Sequence, residues 1–443
     1  MCACLEDCRR ELHYSQRCTA VALRPEANAV YSYRKEDHSN MNQKILHTPE
    51  GLRDVYSDEC ERKQILEQRL QQVPASFGYR DIETPSIEFF DVFGSDIGTI
   101  PSRDLFKFFD REGNTLVLRP DFTPSIARAA SRYFQNVDHP IRLSYLGRSF
   151  VNYSGLQGRL KENTQMGAEL IGASGADADA EIIAMATETM LAAGLTEFQI
   201  SIGHVAFFES LAEEAGFDED TVLRLRNLIH NRNTFGVEKL LGSLEEEKDQ
   251  TAAPLDERIR RLLIALPTLT GGGEVLDKAF LMSEGLRAQE AVVRLKKVLE
   301  LLKVYGLARY TAFDFGMLSV YMYYTGIIFR GYTYGTGEAV VKGGRYDALL
   351  RHFGKDLPSI GFVVVISQLL NALQRQKIEI LPEHERYLIL YGEEAAEEAV
   401  SKAVAWRRQG KYTELMLLAS EADRAKSDEE YRCEGGYAGV IRL

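Results

Sequence analysis

No long apolar run occurs anywhere in this chain of 443 residues. The longest, Gly361 to Leu370, is interrupted by Ser367 and Gln368 and falls short of the roughly 18 residues that a membrane-crossing helix needs. No transmembrane helix is expected. The first twenty residues mix Cys2, Cys4, Cys8 and Cys18 with Glu6, Asp7, Arg9 and Arg10, and contain no apolar region of about 7–15 residues of the kind a secretory leader carries. The expectation is a cytoplasmic, reducing compartment. Cysteine is otherwise confined to Cys60 and Cys433, which read as structural. The N-terminal four follow C-x-C-x3-C-x9-C with His13 as the only close imidazole, a spacing that fits no two-pair zinc finger, so no metal site is expected.

Positive charge is also short. The net charge of −12 weakens any general case for a nucleic-acid partner, because phosphate binding depends on clustered Lys and Arg. An acidic protein can still hide a basic groove. There is no internal repeat and no low-complexity segment. What is present is enough apolar material, 45% of residues, for two or three domains with a substantial core.

Residues 1–44 show no sustained apolar period and read as an extension, disordered or preceding the native start, with Met41 as a candidate first residue. Patterned sequence then follows over 45–383. Leu66, Leu70 and Val73 recur at i, i+4 and i+7, which predicts a helix ending near Pro74. Gly78-Tyr79 opens a strand-like segment. Alternation at Ile141, Leu143 and Tyr145, and at Phe198, Ile200 and Ile202, predicts two half-buried strands. Between them Asp177 to Gly194 reads as a helix with a glycine stop. Gly335-Thr336-Gly337 before Glu338-Ala339-Val340-Val341 reads as a hairpin turn. The whole suggests an α+β fold, a mostly antiparallel sheet with helices packed to one side.

From about 208 to 306 the period becomes helical, at Leu225, Leu228 and Ile229, at Leu262, Leu263 and Leu266, and at Leu295, Leu299 and Leu302. This reads as a helical insertion, in which Glu245-Glu246-Glu247 is a solvated helix end. After Pro382 a small α/β module over 384–443 is expected: a strand at Tyr387–Tyr391, a helix at Glu393–Arg408, and strands at Glu414–Leu418 and Gly439–Leu443.

Two acids, Asp121 and Glu169, fall among apolar residues. A buried carboxylate is costly unless paired, so acids so placed favour a cation such as an ammonium or imidazolium. Taken singly, Asp121 could instead cap a helix starting at Pro124, Glu169 could be an ordinary sheet-edge charge, and the nearby tyrosines could be core.

As a series the motifs are more specific. Gly51-Leu52-Arg53-Asp54-Val55, Leu118-Arg119-Pro120-Asp121-Phe122-Thr123, Gln165-Met166-Gly167-Ala168-Glu169, Tyr323-Tyr324, Gly343-Gly344-Arg345-Tyr346-Asp347 and Gly361-Phe362 come in an order and spacing that resembles the catalytic domain of histidyl-tRNA synthetases. The resemblance runs from about Thr48 to Gln374. It implies the sheet of a class II aminoacyl-tRNA synthetase with flanking helices. It also implies a histidine pocket lined by Asp121, Thr123, Gln165, Glu169, Tyr323, Tyr324 and Tyr346, with Asp121 standing where that family usually has glutamate.

The departures argue against the chemistry. Amino-acid activation develops negative charge at the α-phosphate, and a preorganised arginine is the usual means of stabilising it. Counted from Gly147, Phe150 and Gln165, the family's motif-two arginine falls on Val151. The arginine of its Arg-Gly-Leu-Asp-Tyr-Tyr element falls on Ser319 and the aspartate on Met322. The motif-three arginine, seven residues after Gly361, falls on Gln368. Arg148 lies one register away, but strand alternation turns it to the other face. No catalytic residue is therefore expected. The alternative, a divergent histidyl-tRNA synthetase or another class II synthetase-like enzyme, would need substitute cations, for which Arg345 and Lys342 are the candidates.

The segments Tyr323-Tyr324-Thr325-Gly326-Ile327-Ile328-Phe329 and Glu169-Leu170-Ile171-Gly172 look closer to the regulatory subunits of ATP phosphoribosyltransferase, which are synthetase-like proteins without adenylation chemistry. That resemblance implies a non-catalytic subunit that activates a short-form catalytic subunit in the first step of L-histidine biosynthesis and mediates feedback inhibition by histidine. It further implies a homodimer within a hetero-oligomer and no cofactor. The module over 384–443 resembles an anticodon-binding domain cut short, and its twelve acidic against nine basic side chains lack the basic face that tRNA reading requires. No tRNA partner is expected.

Overall fold

In this computed structural model, residues 46–94, 100–135, 137–154, 159–247, 255–318, 324–381 and 384–443 are described, the side chains of 245–247 excepted. The extension over 1–44, the Glu245-Glu246-Glu247 side chains, Ser319, Met322 and Tyr323 lie outside that description. The described residues fall into two compact units, Thr48–Ile380 and a smaller one built on Leu381–Leu443.

The strands, in chain order, are β1 Arg80–Asp81, β2 Ile87–Phe89, β3 Lys107–Phe109, β4 Thr115–Leu118, β5 Ile141–Phe150, β6 Glu162–Ile171, β7 Phe198–His204, β8 Thr270–Gly271, β9 Thr311–Asp314, β10 Ile327–Thr333, β11 Val341–Arg345, β12 Ser359–Val365, β13 Arg386–Tyr391, β14 Tyr412–Leu417 and β15 Gly439–Arg442. Nine of them form one sheet in the order β1-β5-β6-β12-β11-β10-β7-β9-β8. It is antiparallel except where β1 meets β5 and β7 meets β9. Strands β2, β4 and β3 make a small antiparallel sheet.

Period-two alternation gives the large sheet two chemically different faces. Met166, Ala168 and Leu170 of β6, Ile200 and Ile202 of β7, Phe329 of β10 and Ile360, Phe362 and Val364 of β12 point into the main core. Against that face pack the helices Ser57–Ser76, Ala176–Ala192, Ala288–Val304 and Ile366–Arg375. Leu66 and Leu70 are fully buried there, and the first helix runs to Ser76 with Pro74 inside its last turn. Proline there removes one N–H and clashes one turn back, and the helix stops two residues later.

Helices are not confined to one side, as the strand pattern suggests. The helix Thr123–Tyr133 lies on the opposite face, where Phe122, Ile126 and Ala130 meet Leu143 and Tyr145 of β5. Its apolar residues are mostly alanine, a weak signal for position in a sequence. Among the described residues between β7 and β9, six helices recur from Val205 to Val304, with the two-residue β8 as the only strand and a 3-10 turn at Leu266–Thr268. The turn at Gly335-Thr336-Gly337 joins β10 to β11, and the second strand starts at Val341 rather than Glu338.

In the smaller unit β14-β13-β15 is an all-parallel sheet. Leu388 and Leu390 face Tyr431 on one side, while Ile389 faces Ala399 and Ala403 of the helix Ala396–Arg408 on the other. Two short helices, Glu421–Ala425 and Asp428–Gly435, each begin with a serine capping box and are elements the apolar period does not reveal. Cys433, read as structural, is exposed, whereas Cys60 is half-buried. Among the described residues no helix is long and apolar enough to cross a membrane, and no group of three or more His, Cys, Asp or Glu could hold a metal ion.

Candidate functional site

The second face of the sheet is floored by glycine. Gly147 of β5, Gly167 of β6, Gly361 of β12 and Gly344 of β11 fall on it, because the pairings Gly147 to Gln165, Tyr145 to Gly167, Gly361 to Glu169 and Gly344 to Gly361 keep them in phase. Functional side chains occupy the space a Cβ would take. A Cβ at Gly361 would lie 1.6 Å from Glu169 Oε2, one at Gly167 2.5 Å from the Tyr145 hydroxyl, and one at Gly344 2.6 Å from the Tyr324 ring. One at Gly147 would meet Arg119 and the Phe122 ring, both at 2.8 Å. The glycines thus let two tyrosines, an acid and an arginine lie flat on the sheet.

Glu169 is the centre of this arrangement. It sits in the middle of the sheet, only 1% exposed, so it is not a sheet-edge charge. Thr123 Oγ1 donates to its Oε1 at 2.7 Å, and the Tyr346 hydroxyl donates to its Oε2. Burial pushes the carboxyl up to about 8, against the pull of those two hydroxyls and with a further push from Asp121. It therefore holds a proton near neutral pH.

Asp121 lies beside the same helix start. Its Oδ1 accepts from the Phe122 N–H at 2.7 Å, and burial raises its carboxyl while the Phe122 and Thr123 N–H groups lower it. It does engage the first turn of the helix, from one position ahead of the N-cap residue, Phe122. Tyr145 stacks on Phe122 with ring centroids 4.4 Å apart, and its phenol is raised by burial first and then by the charges of Glu169 and Asp121. Among the described residues the Tyr145 hydroxyl and Gln165 Oε1 are buried without a hydrogen-bond partner.

Of the seven positions suggested for histidine, Asp121, Thr123, Gln165, Glu169, Tyr324 and Tyr346 converge on this face, and Tyr323 lies outside the described residues. Sequence reasoning missed Tyr145 as a site residue. It is visible only as one of three alternating apolar positions, and nothing local says that its partner across the sheet is a glycine.

The cations tell the other half. Val151 is buried, and Gln368 donates from Nε2 to Glu338 Oε2 at 3.2 Å. Arg148 is turned outward and pairs with Glu162 at 2.6 Å. Arg345, suggested as a substitute, is not available. It belongs to the helix-covered face, is 3% exposed, and grips Asp179 Oδ1 from Nε at 2.8 Å and from a terminal nitrogen at 2.6 Å. Alternation decides this, since Gly344 and Lys342 face the glycine floor and Arg345 must face away. Lys342 does line a cavity of about 590 Å³, alongside Val151, Tyr324, Glu338 and two cations not singled out from sequence, Arg159 and Arg330.

A family model described as histidyl-tRNA synthetase matches residues 51–369. An ATP phosphoribosyltransferase regulatory subunit of Acetivibrio thermocellus is 37% identical over 90% of this chain and 92% of its own length. A protein of the same description from Ruminiclostridium cellulolyticum is likewise 37% identical, over 90% and 92%. Among solved structures, an ATP phosphoribosyltransferase regulatory subunit/histidyl-tRNA synthetase from Bacillus halodurans superposes with a TM-score of 0.77 at 30% identity, covering 90% of this chain and 98% of that one.

Proposed function

The chain belongs to the histidyl-tRNA synthetase family, among the regulatory subunits of ATP phosphoribosyltransferase, and from that membership we propose that it works in the cytoplasm as the non-catalytic partner of a short-form catalytic subunit. It activates that subunit in the first step of L-histidine biosynthesis and transmits feedback inhibition by histidine. The catalytic residues then lie on the partner, and no cofactor or tRNA is bound here. As in the resemblance, the unit is a homodimer within a hetero-oligomer.

The observation that carries the reading is the pairing of Glu169, Thr123 and Tyr346 with the apolar Val151 and the amide Gln368. The first is a neutral acid under two hydroxyls, ready to exchange its proton for the ammonium or imidazolium of histidine. The second leaves two of the marked positions without the cations that adenylate formation needs. Asp121 adds a second carboxyl on the same side, and Gln165, Tyr324 and Tyr145 supply polar atoms and aromatic walls. A pocket that recognises histidine and cannot activate it is a sensor.

Sensing becomes regulation through a coupling free energy, typically about 1–3 kcal/mol, between histidine binding and the arrangement of the partner. Reciprocity then requires the partner to change the affinity for histidine by the same factor. Co-purification with a short-form phosphoribosyltransferase, followed by activity with and without histidine, tests the reading. Stimulation that histidine reverses is expected, and failure of the two chains to associate would end it.

A further inference from the structure

Arg330 of β10 and Lys342 of β11 stand directly opposite each other in the ladder. Like charges at directly opposed positions destabilise a sheet, and both of these side chains are half-buried, where screening by solvent is weaker. They open into the cavity of about 590 Å³ together with Arg159, Tyr153, Tyr332 and Glu338. That size suits a small-molecule ligand. Glu338 accepts from Arg159 at 2.5 Å and approaches Lys342 at 4.0 Å, so one carboxylate serves two cations. Among the described residues no carboxylate pairs with Arg330. Burial lowers the Lys342 ammonium, Glu338 opposes that shift, and Arg330 and Arg159 add to it.

We propose that this cavity binds a small phosphate-bearing anion, held between Arg330 and Lys342 on the sheet and Arg159 at the rim. None of these three residues occupies a position that the synthetase resemblance marks for a cation, namely Val151, Ser319 and Gln368. The cavity also takes in Val151 and Tyr324 and so adjoins the histidine-lining face, but the proposal stands on Arg330, Lys342 and Arg159 and is tested without histidine. An anion there relieves the cross-strand repulsion, so binding stabilises the folded chain.

The test is thermal unfolding of the full-length chain in metal-free buffer, with inorganic pyrophosphate and ribose 5-phosphate as separate arms and sodium chloride at matched ionic strength as control. A rise of several degrees in the midpoint is expected for at least one phosphate arm and not for chloride. The two arms distinguish a free polyphosphate from a phosphorylated sugar. Arg330→Gln and Lys342→Gln are expected to abolish the rise and to weaken the calorimetric Kd by about tenfold or more, while leaving the unliganded midpoint unchanged or higher. An exposed arginine elsewhere, changed by Arg309→Gln, keeps the response. The proposal is overturned by no response in the unaltered chain, by a response that chloride reproduces, by one that survives both variants, or by unliganded variants that are both less stable, since the cations would then be structural.

Discussion

Tyr346 donates its hydroxyl to Glu169 across 177 residues of sequence, at the centre of the glycine-floored sheet face. The phenol is raised well above its ordinary value by burial and by the Glu169 charge, so it stays a donor throughout the accessible pH range. Glu169 is the member of the pair that titrates.

Its proton sets a pH dependence of stability. The carboxyl is raised from 4.5 to about 8 in the folded chain, so below pH 4.5 it is protonated whether the chain is folded or not. Between 4.5 and 8 the unfolded chain loses this proton first, and the stability due to the folded site declines as pH rises through that window. The loss across the whole window is expected to be on the order of 5 kcal/mol. Glu169→Gln, which keeps an acceptor for either hydroxyl, should flatten the decline. Urea midpoints measured from pH 5 to pH 8.5 check it, and parallel curves for the two proteins would show that Glu169 is not the titrating group.

Histidine binding should release a proton from the same carboxyl. The ligand cation favours the ionised form, so its apparent affinity is expected to rise as pH approaches 8 and level off beyond it, as far as Glu169 governs. Calorimetric titrations at pH 7 in buffers of different ionisation enthalpy measure the protons directly. A heat independent of buffer would remove the exchange mechanism, and Glu169→Gln should lower affinity by about tenfold or more.

Much of this site could be read from order and spacing alone, because strand parity carries side chains to a face whatever the distance along the chain. Glu169, Gln165 and Thr123 were legible through the motif resemblance; parity on β6 carries Gln165 and Glu169 to one face, whereas Thr123 reaches it from a helix start. Tyr145 was not, since its role depends on Gly167 opposite it. Arg345 misled because its neighbours Gly344 and Tyr346 both belong to the site, and only the alternation of β11 sends it to Asp179. Arg330 was hidden by the same arithmetic, as its meaning comes from pairing with Lys342. In the fold, Leu66, Leu70, Ile200 and Ile202 announced their elements by period, whereas the alanine-rich helix Thr123–Tyr133 did not announce its face. The capped helices near the C-terminus have too few apolar residues to show a period at all.

Adenylation should be absent, and restoring one cation should not bring it back. Val151→Arg places a guanidinium at the buried position after β5, but Gln368 remains engaged with Glu338 and cannot neutralise phosphate. Histidine-dependent ATP–pyrophosphate exchange is expected to stay at background in both proteins. Robust exchange by the unaltered chain would return it to the enzymes.

Gly361→Ala should act on the site more than on the fold. The new Cβ would fall 1.6 Å from Glu169 Oε2 and 2.7 Å from the Ala168 carbonyl, so the carboxyl must leave its place under Thr123 and Tyr346. A destabilisation of about 1–3 kcal/mol is expected from the overpacking, with histidine affinity reduced by tenfold or more. Denaturation and calorimetry on the same preparation separate the two, and normal histidine affinity would show that the glycine floor does not shape the pocket.

The helix-covered face offers the opposite case, a charge cluster with a structural task. Asp179 is fully buried and takes Arg345 on Oδ1 and Arg294 on Oδ2, the latter at 2.6 Å. Those arginines also reach the carbonyls of Ala173, Ser174 and Gly175, so the cluster ties β11, the helix Ala176–Ala192 and the helix Ala288–Val304 together. Asp179→Ala would leave Arg345 buried with only the partly exposed Asp347, at 3.2 Å, to balance it. Removing one partner of a buried pair costs about 3–5 kcal/mol, and that is the loss expected in urea unfolding. Asp179→Asn should cost less, since an amide oxygen still accepts from one guanidinium. Because Tyr346 follows Arg345 directly, the same substitution should also loosen the Glu169 hydroxyl contact, which holds that carboxyl down, and so extend the pH-dependent decline of stability toward higher pH, while Glu88→Gln, at a half-buried pair with Arg128, should leave that dependence in place.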